Sequence, residues 1–338
     1  MWNVLDRGFL PLSDPINTLP IGDIRNTELI YTWENLSSVV PYFLKEECLR
    51  EEMIHSLRVA SHSYYHGFMD NLGGAGSYER AFLLLAYFST AYINSAEGKP
   101  KSKLPKELTV PFARIAHLVG RQPVLDYTSY VLYNWRLKNK DKNIVKNNVE
   151  ILHTFTDSLS EQALLSAFIE MEARGAELAK QLVNPCTVVE ILFKINELLQ
   201  ETKASLECDF ADFWNGIVAD YKNLRYEQWR QDELTFPCDI FLQSPLLHTI
   251  YKYLDINFQN GCLVKRKEEI RNFHMPASHR DFICSVNGIR NKCSEDDNFK
   301  EVYNNCLTQL IELRKNLAFR EVDKSEMANE ELTTYYFK

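Results

Sequence analysis

Apolar residues recur at helical spacing over most of this chain, and runs alternating apolar with polar are scarce. Chains patterned this way bury their apolar faces by packing helix on helix, so the expected fold class is all-α. Pro41 to Met69 carries the period, Asn71 to Ser77 breaks it as a glycine-rich loop, and Glu79 to Asn94 resumes it. Phe82 to Tyr92 is the most apolar segment, yet too short and interrupted to cross a bilayer, so a buried core helix is expected. Ala96 to Pro105 reads as exposed, and Pro111 is expected to open a helix from its first position. Gln122-Pro123 leads into Val124 to Leu137, and Lys138 to Asn148 reads as a charged linker. Longer helices are expected from Ser160 to Val183, Pro185 to Leu206, Asp209 to Leu224, Pro245 to Leu254, Leu263 to Phe273, Ala277 to Gly288 and Asn298 to Glu321. Tyr226 to Pro245 is expected to be a long ordered loop, a feature that is usually functional.

The net charge of −8 disfavours nucleic acid as a partner. The one basic run, Lys265-Arg266-Lys267, is followed at once by Glu268-Glu269 and reads as a solvated helix face. The first residues lack a basic stretch followed by an apolar run, so no secretory signal and no membrane partner are expected, and the expected location is cytoplasmic. Eight cysteines at irregular spacing, none in a Cys-x-x-Cys pair, read as free thiols rather than as a zinc site.

Four local patterns then stand in order. They are Arg7-Gly8-Phe9-Leu10-Pro11, the stretch Pro123-Val124-Leu125-Asp126-Tyr127 to Val131-Leu132-Tyr133-Asn134-Trp135, Met275-Pro276-Ala277-Ser278-His279-Arg280, and Tyr303 to Arg314. Together they resemble the indoleamine 2,3-dioxygenase family over about residues 7 to 320. The resemblance implies a small N-terminal helical domain, about 1–108, and a large helical domain, about 109–338, that holds the cavity. It also implies haem b, held by one histidine of the last long helix, and insertion of dioxygen across the indole double bond of tryptophan, a small aromatic substrate.

The sequence departs from that pattern at several places. The segment matching the family's Leu-Arg-x-x-His reads Leu313-Arg314-Lys315-Asn316-Leu317, and no histidine follows His279. A leucine offers iron no lone pair, so the usual axial bond cannot form. Tyr127 matches the family's pocket tyrosine, while Tyr130 replaces a small residue one turn later. Ser166 and Phe213 are kept. Gln162 and Ala163 replace two phenylalanines, Val218 replaces the arginine that would clamp a carboxylate, and the bulky Cys238-Asp239-Ile240-Phe241 replaces a small loop. On the former proximal side, Tyr251 replaces the aspartate that pairs with the arginine matching Arg314. His248, one turn earlier on the same face, is the candidate substitute ligand.

Other groups have plainer readings beside sharper ones. His279-Arg280 reads as a helix tether. His55, His62 and His66 share a helix face and, with Glu51 or Glu52, have a metal-like spacing that a solvated face also explains. Glu170 and Glu172 lie on a core helix; a carboxylate pointing inward there must be paired or have its pKa raised. Arg314, without its aspartate, would need another acid or an anion. Three readings stay open: a haem oxygenase ligated through His248, a repurposed enzyme without conventionally ligated haem, as fits natural-product biosynthesis, and a non-catalytic binding or regulatory protein. No residue is assigned a catalytic role.

Overall fold

The computed structural model describes residues 4–21, 26–61, 72–95, 101, 103–182, 184–206, 243–255, 271–272, 274–289 and 297–317, with only the backbone at 60–61, 297–299 and 314–317. The expected helix 209–224, loop 226–245 up to Leu242, helix 263–273 up to Ile270, and the residues His62, His66, Phe213, Val218, Ile240 and Phe241 lie outside the described residues. So do the side chains of Arg314 and Leu317.

The described chain is mainly helical, as its apolar period requires. Its helices are α1 (Val4–Arg7), α2 (Thr27–Lys45), α3 (Leu49–Ser61), α4 (Ala75–Asn94), α5 (Lys106–Val119), α6 (Leu159–Gln181), α7 (Pro185–Ala204), α8 (Pro245–Tyr253), α9 (Ala277–Ser285) and α10 (Asp297–Leu317). The expected helix 41–69 divides differently. Pro41 lies inside α2, and the chain turns at Glu47, whose φ of 54° is left-handed, before α3 begins. Pro111 lies inside α5 rather than at its start, since Pro105 already stands at the N-cap. The segment 124–137 holds two short elements: a single π-helical turn, Thr128–Leu132, is followed by strand β1 (Trp135–Leu137). β1 pairs antiparallel with β2 (Val149–Ile151), Trp135 opposite Ile151, so the charged linker 138–148 is the loop of this hairpin.

The greasy segment Phe82 to Ala91 of α4 is buried on every side and stacks against α5, as Phe82 on Phe112 shows. No described helix is long and apolar enough to cross a membrane. In the second half, α6 packs against α7, and α7 packs against α10. Cys48, Cys186, Cys284 and Cys306 are free thiols.

Helix α6 is the hub of the interior, because three of the four patterns meet on or beside it. Its N-cap is Ser158, whose hydroxyl accepts from the amides of Ser160 and Glu161. The N-terminal segment docks on α6 through Phe9, whose amide donates to the Glu172 carbonyl at 3.1 Å. Two glycines permit this approach. Gly8 has φ of 65°, and a Cβ there would sit 2.0 Å from the Glu172 carbonyl oxygen. A Cβ on Gly175 would meet the Phe9 ring at 2.7 Å. The same ring lies edge-on to His279 of α9, centroids 5.4 Å apart. The Thr128 hydroxyl in turn donates to the His274 carbonyl, just before α9, at 3.0 Å.

Candidate functional site

At 3.6 residues per turn, Glu161, Leu165, Phe168 and Glu172 fall within about 60° of one another on α6. This face receives the two tyrosines of the π-helical segment. The Tyr130 hydroxyl donates to Glu161, and the Tyr127 hydroxyl donates to Glu172 at 2.9 Å. The Tyr127 and Phe168 rings lie 6.5 Å apart between the two pairs. Both tyrosines are essentially without exposed surface.

The two carboxyls differ in how they are held. Glu161 accepts from the amides of Phe155 and Thr156 and from the Thr156 and Tyr130 hydroxyls. Burial pushes its pKa up, and these donors pull it back. Glu172 accepts from the Tyr127 hydroxyl, from the Ser244 hydroxyl at 2.5 Å, and from the Leu246 amide at 3.3 Å. Ser244 is the N-cap of α8 and Pro245 comes next, so this carboxyl sits at a helix N-terminus. Burial outweighs the three donors and pushes Glu172 up to about 7. The adjacent Gln243 accepts the Tyr127 amide at 3.1 Å. Glu172, Tyr127 and Ser244 thus tie α6, the π-helical segment and the start of α8 through one carboxyl.

Glu170 takes the other route open to an inward carboxylate. It is 7% exposed, pairs with Arg174 at 2.6 Å and accepts the Lys146 amide at 2.7 Å.

The remaining site candidates fall elsewhere. Gln162, Ala163 and Ser166 lie about 100–200° round α6 from the Glu161–Glu172 face. Gln162 is exposed, Ala163 half-buried and Ser166 buried at 6%. The structure therefore brings Tyr127 and Tyr130 together on one α6 face and leaves the other three on another. His248 and Tyr251 lie on α8, rings 6.0 Å apart and edge-on. His248 is 0% exposed.

Other buried histidines are held neutral. Burial, then the charge of Arg121, lowers His274 and His279 to about 3. Burial, then Arg80, lowers His153 well below its ordinary value. Arg280 anchors the start of α9 by donating to the Asn272 carbonyl at 2.7 Å, as expected of a tether. Among the described residues no group of three or more His, Cys, Asp or Glu could hold a metal ion.

Glu161, Ser244 and Gln243 are absent from the sequence-derived site, and Glu172 enters it only as a core carboxylate. One signal was readable: two glutamates, Glu161 and Glu172, share an otherwise apolar helix face, and Ser244-Pro245 spells a helix start. Their partners were not readable, because they come from distant segments.

A family model described as indoleamine 2,3-dioxygenase matches residues 2–215. Indoleamine 2,3-dioxygenase 1 of Rattus norvegicus is 24% identical over 91% of this chain and 80% of its own length. Indoleamine 2,3-dioxygenase 2 of Homo sapiens is 26% identical over 69% of this chain and 64% of its own length. The 6-hydroxytryptophan 2,3-dioxygenase of Fusarium equiseti is 23% identical over 92% of this chain and 80% of its own length.

Proposed function

The chain belongs to the indoleamine 2,3-dioxygenase family, and from that premise we propose a divergent, tryptophan-dioxygenase-like enzyme that acts on a tryptophan-derived aromatic substrate without conventionally ligated haem. The observation that carries the reading is the donor set. Leu317, the last residue of α10, holds the position that matches the family's axial histidine, and its alkyl group cannot bind iron. The residues present therefore fit a protein-ligated porphyrin poorly, and no iron-bound step belongs to this proposal.

A ring-modified tryptophan is favoured over tryptophan itself because one relative is named for a hydroxylated tryptophan. Val218 stands where the family's carboxylate clamp would be, so either amino acid would be held without that charge-assisted contact. The structural part of the proposal assigns Tyr127, Glu172 and Ser244 the task of fixing the π-helical segment and α8 against α6. A cytoplasmic location and a role in natural-product biosynthesis complete the reading.

The test is turnover by the full chain, with and without added haemin, of tryptophan and 6-hydroxytryptophan, monitored by mass spectrometry. Consumption of the hydroxylated substrate that does not depend on haemin is expected. Turnover that appears only with haemin would overturn the haem-independent reading, and no turnover of either substrate would favour a binding protein on this scaffold.

A further inference from the structure

The opposite side of α6 carries a feature that this function does not use. Glu170, Ala173, Arg174, Glu177 and Lys180 lie about 100–220° round the helix from Glu161. With α1 and the β1–β2 loop they enclose an open cleft of about 770 Å³, a size that suits a small metabolite. One wall is aliphatic, formed by Leu137, Ile144 and Val145. At its base the Glu170–Arg174 ion pair is fixed by the Lys146 amide. The Arg174 Nε is buried and has no hydrogen-bond partner among the described residues.

Some of the charges around the opening, of both signs, have no partner among the described residues. The Lys142 and Lys180 ammonium groups and the Glu177 carboxylate line the cleft, and none makes a hydrogen bond or ion pair with a described residue. Arg7, also at the rim, is already committed to Asp14 at 2.6 Å and to the Leu12 carbonyl at 2.7 Å. A polyanion would meet Glu177, and a simple cation would meet the two lysines. A ligand with one charge of each sign and an apolar body satisfies the whole set.

We propose that this cleft binds a free α-amino acid with an aliphatic side chain. Its carboxylate faces Lys142 and Lys180, its ammonium faces Glu177, and its side chain lies on Leu137, Ile144 and Val145. Charge-assisted contacts supply the orientation, and the apolar wall supplies the selectivity. The site is separate from the Tyr127–Glu172 network and stands whether or not the proposed catalytic reading holds.

The probe is L-leucine, titrated calorimetrically into the full chain alongside N-acetyl-L-leucine and L-leucinamide. L-leucine is expected to bind, with each single-charge derivative at least about tenfold weaker, because each lacks one of the two charges. The double variant Lys142→Ala with Lys180→Ala, and separately Glu177→Gln, are each expected to weaken L-leucine at least about tenfold. These side chains are exposed, so the variants fold as the parent does, which an unchanged Tm confirms. No heat of binding with L-leucine would overturn the proposal. So would equal binding of the three compounds, or L-leucine affinity unchanged in both cleft variants.

Discussion

Replacing Glu172 by Gln should change how stability responds to pH, and the size of the change can be worked from the site. The Glu172 carboxyl titrates near 7 in the folded protein, against an ordinary value of 4.5, because burial outweighs its three donors. A raised carboxyl pKa means that the native state holds the proton more tightly than the unfolded chain. The stabilisation is therefore complete below pH 4.5 and is lost as pH climbs towards about 7. At ~1.4 kcal/mol per unit, the loss is on the order of 3 kcal/mol. Glutamine does not titrate; its Oε1 can still accept from Tyr127 and Ser244, while its NH2 cannot accept the Leu246 amide, a loss that offsets the variant equally at every pH. Urea unfolding of parent and variant, from about pH 4.5 to about 8, isolates this group because all others cancel in the difference. The difference should move in favour of Glu172→Gln by on the order of 3 kcal/mol across that range. A flat difference would mean that Glu172 ionises at its usual pH, and a buried carboxyl without a cationic partner would be the wrong description.

Tyr127→Phe removes a donor that favours the charged Glu172, so the pH at which stability is lost should move upward in the same urea series. Arg121 is buried between Glu79, at 2.7 Å, and Asp126, at 2.7 Å; Arg121→Ala strands both carboxylates and should cost about 3–5 kcal/mol in urea unfolding. Gly8→Ala forces a Cβ onto the Glu172 carbonyl oxygen from a left-handed backbone. It should cost about 1–3 kcal/mol and raise amide exchange at Phe9. By contrast, the Arg136–Glu150 pair across the hairpin is exposed on both sides, and Arg136→Ala should change stability by less than about 1 kcal/mol.

The helical class was legible because its signal is long. α6 and α4 each repeat the period over several turns, and boundaries fell within a few residues of expectation. Short elements were not legible. Three-residue strands such as Trp135–Leu137 are too brief for a period of two to register, and tertiary pinning decides them. Asn134 does this by donating to the His153 carbonyl at 2.7 Å and accepting its amide at 2.9 Å. Pro111 misled because a proline inside a helix can be tolerated where its ring packs in the core. At the site, the identity of Tyr127 was readable from its motif, whereas its tie to Glu172 depends on a fold that brings together residues 45 apart. The Ser244 contact spans 72 residues, and no local pattern encodes such distances.

The most direct measurement is the ultraviolet–visible spectrum of the full chain expressed with a haem precursor, repeated after Leu317→His. Parent protein without a Soret band is the predicted result. A parent chain that purifies with stoichiometric haem and a Soret band typical of a histidine-ligated iron would contradict the claim that the donor at 317 decides the chemistry.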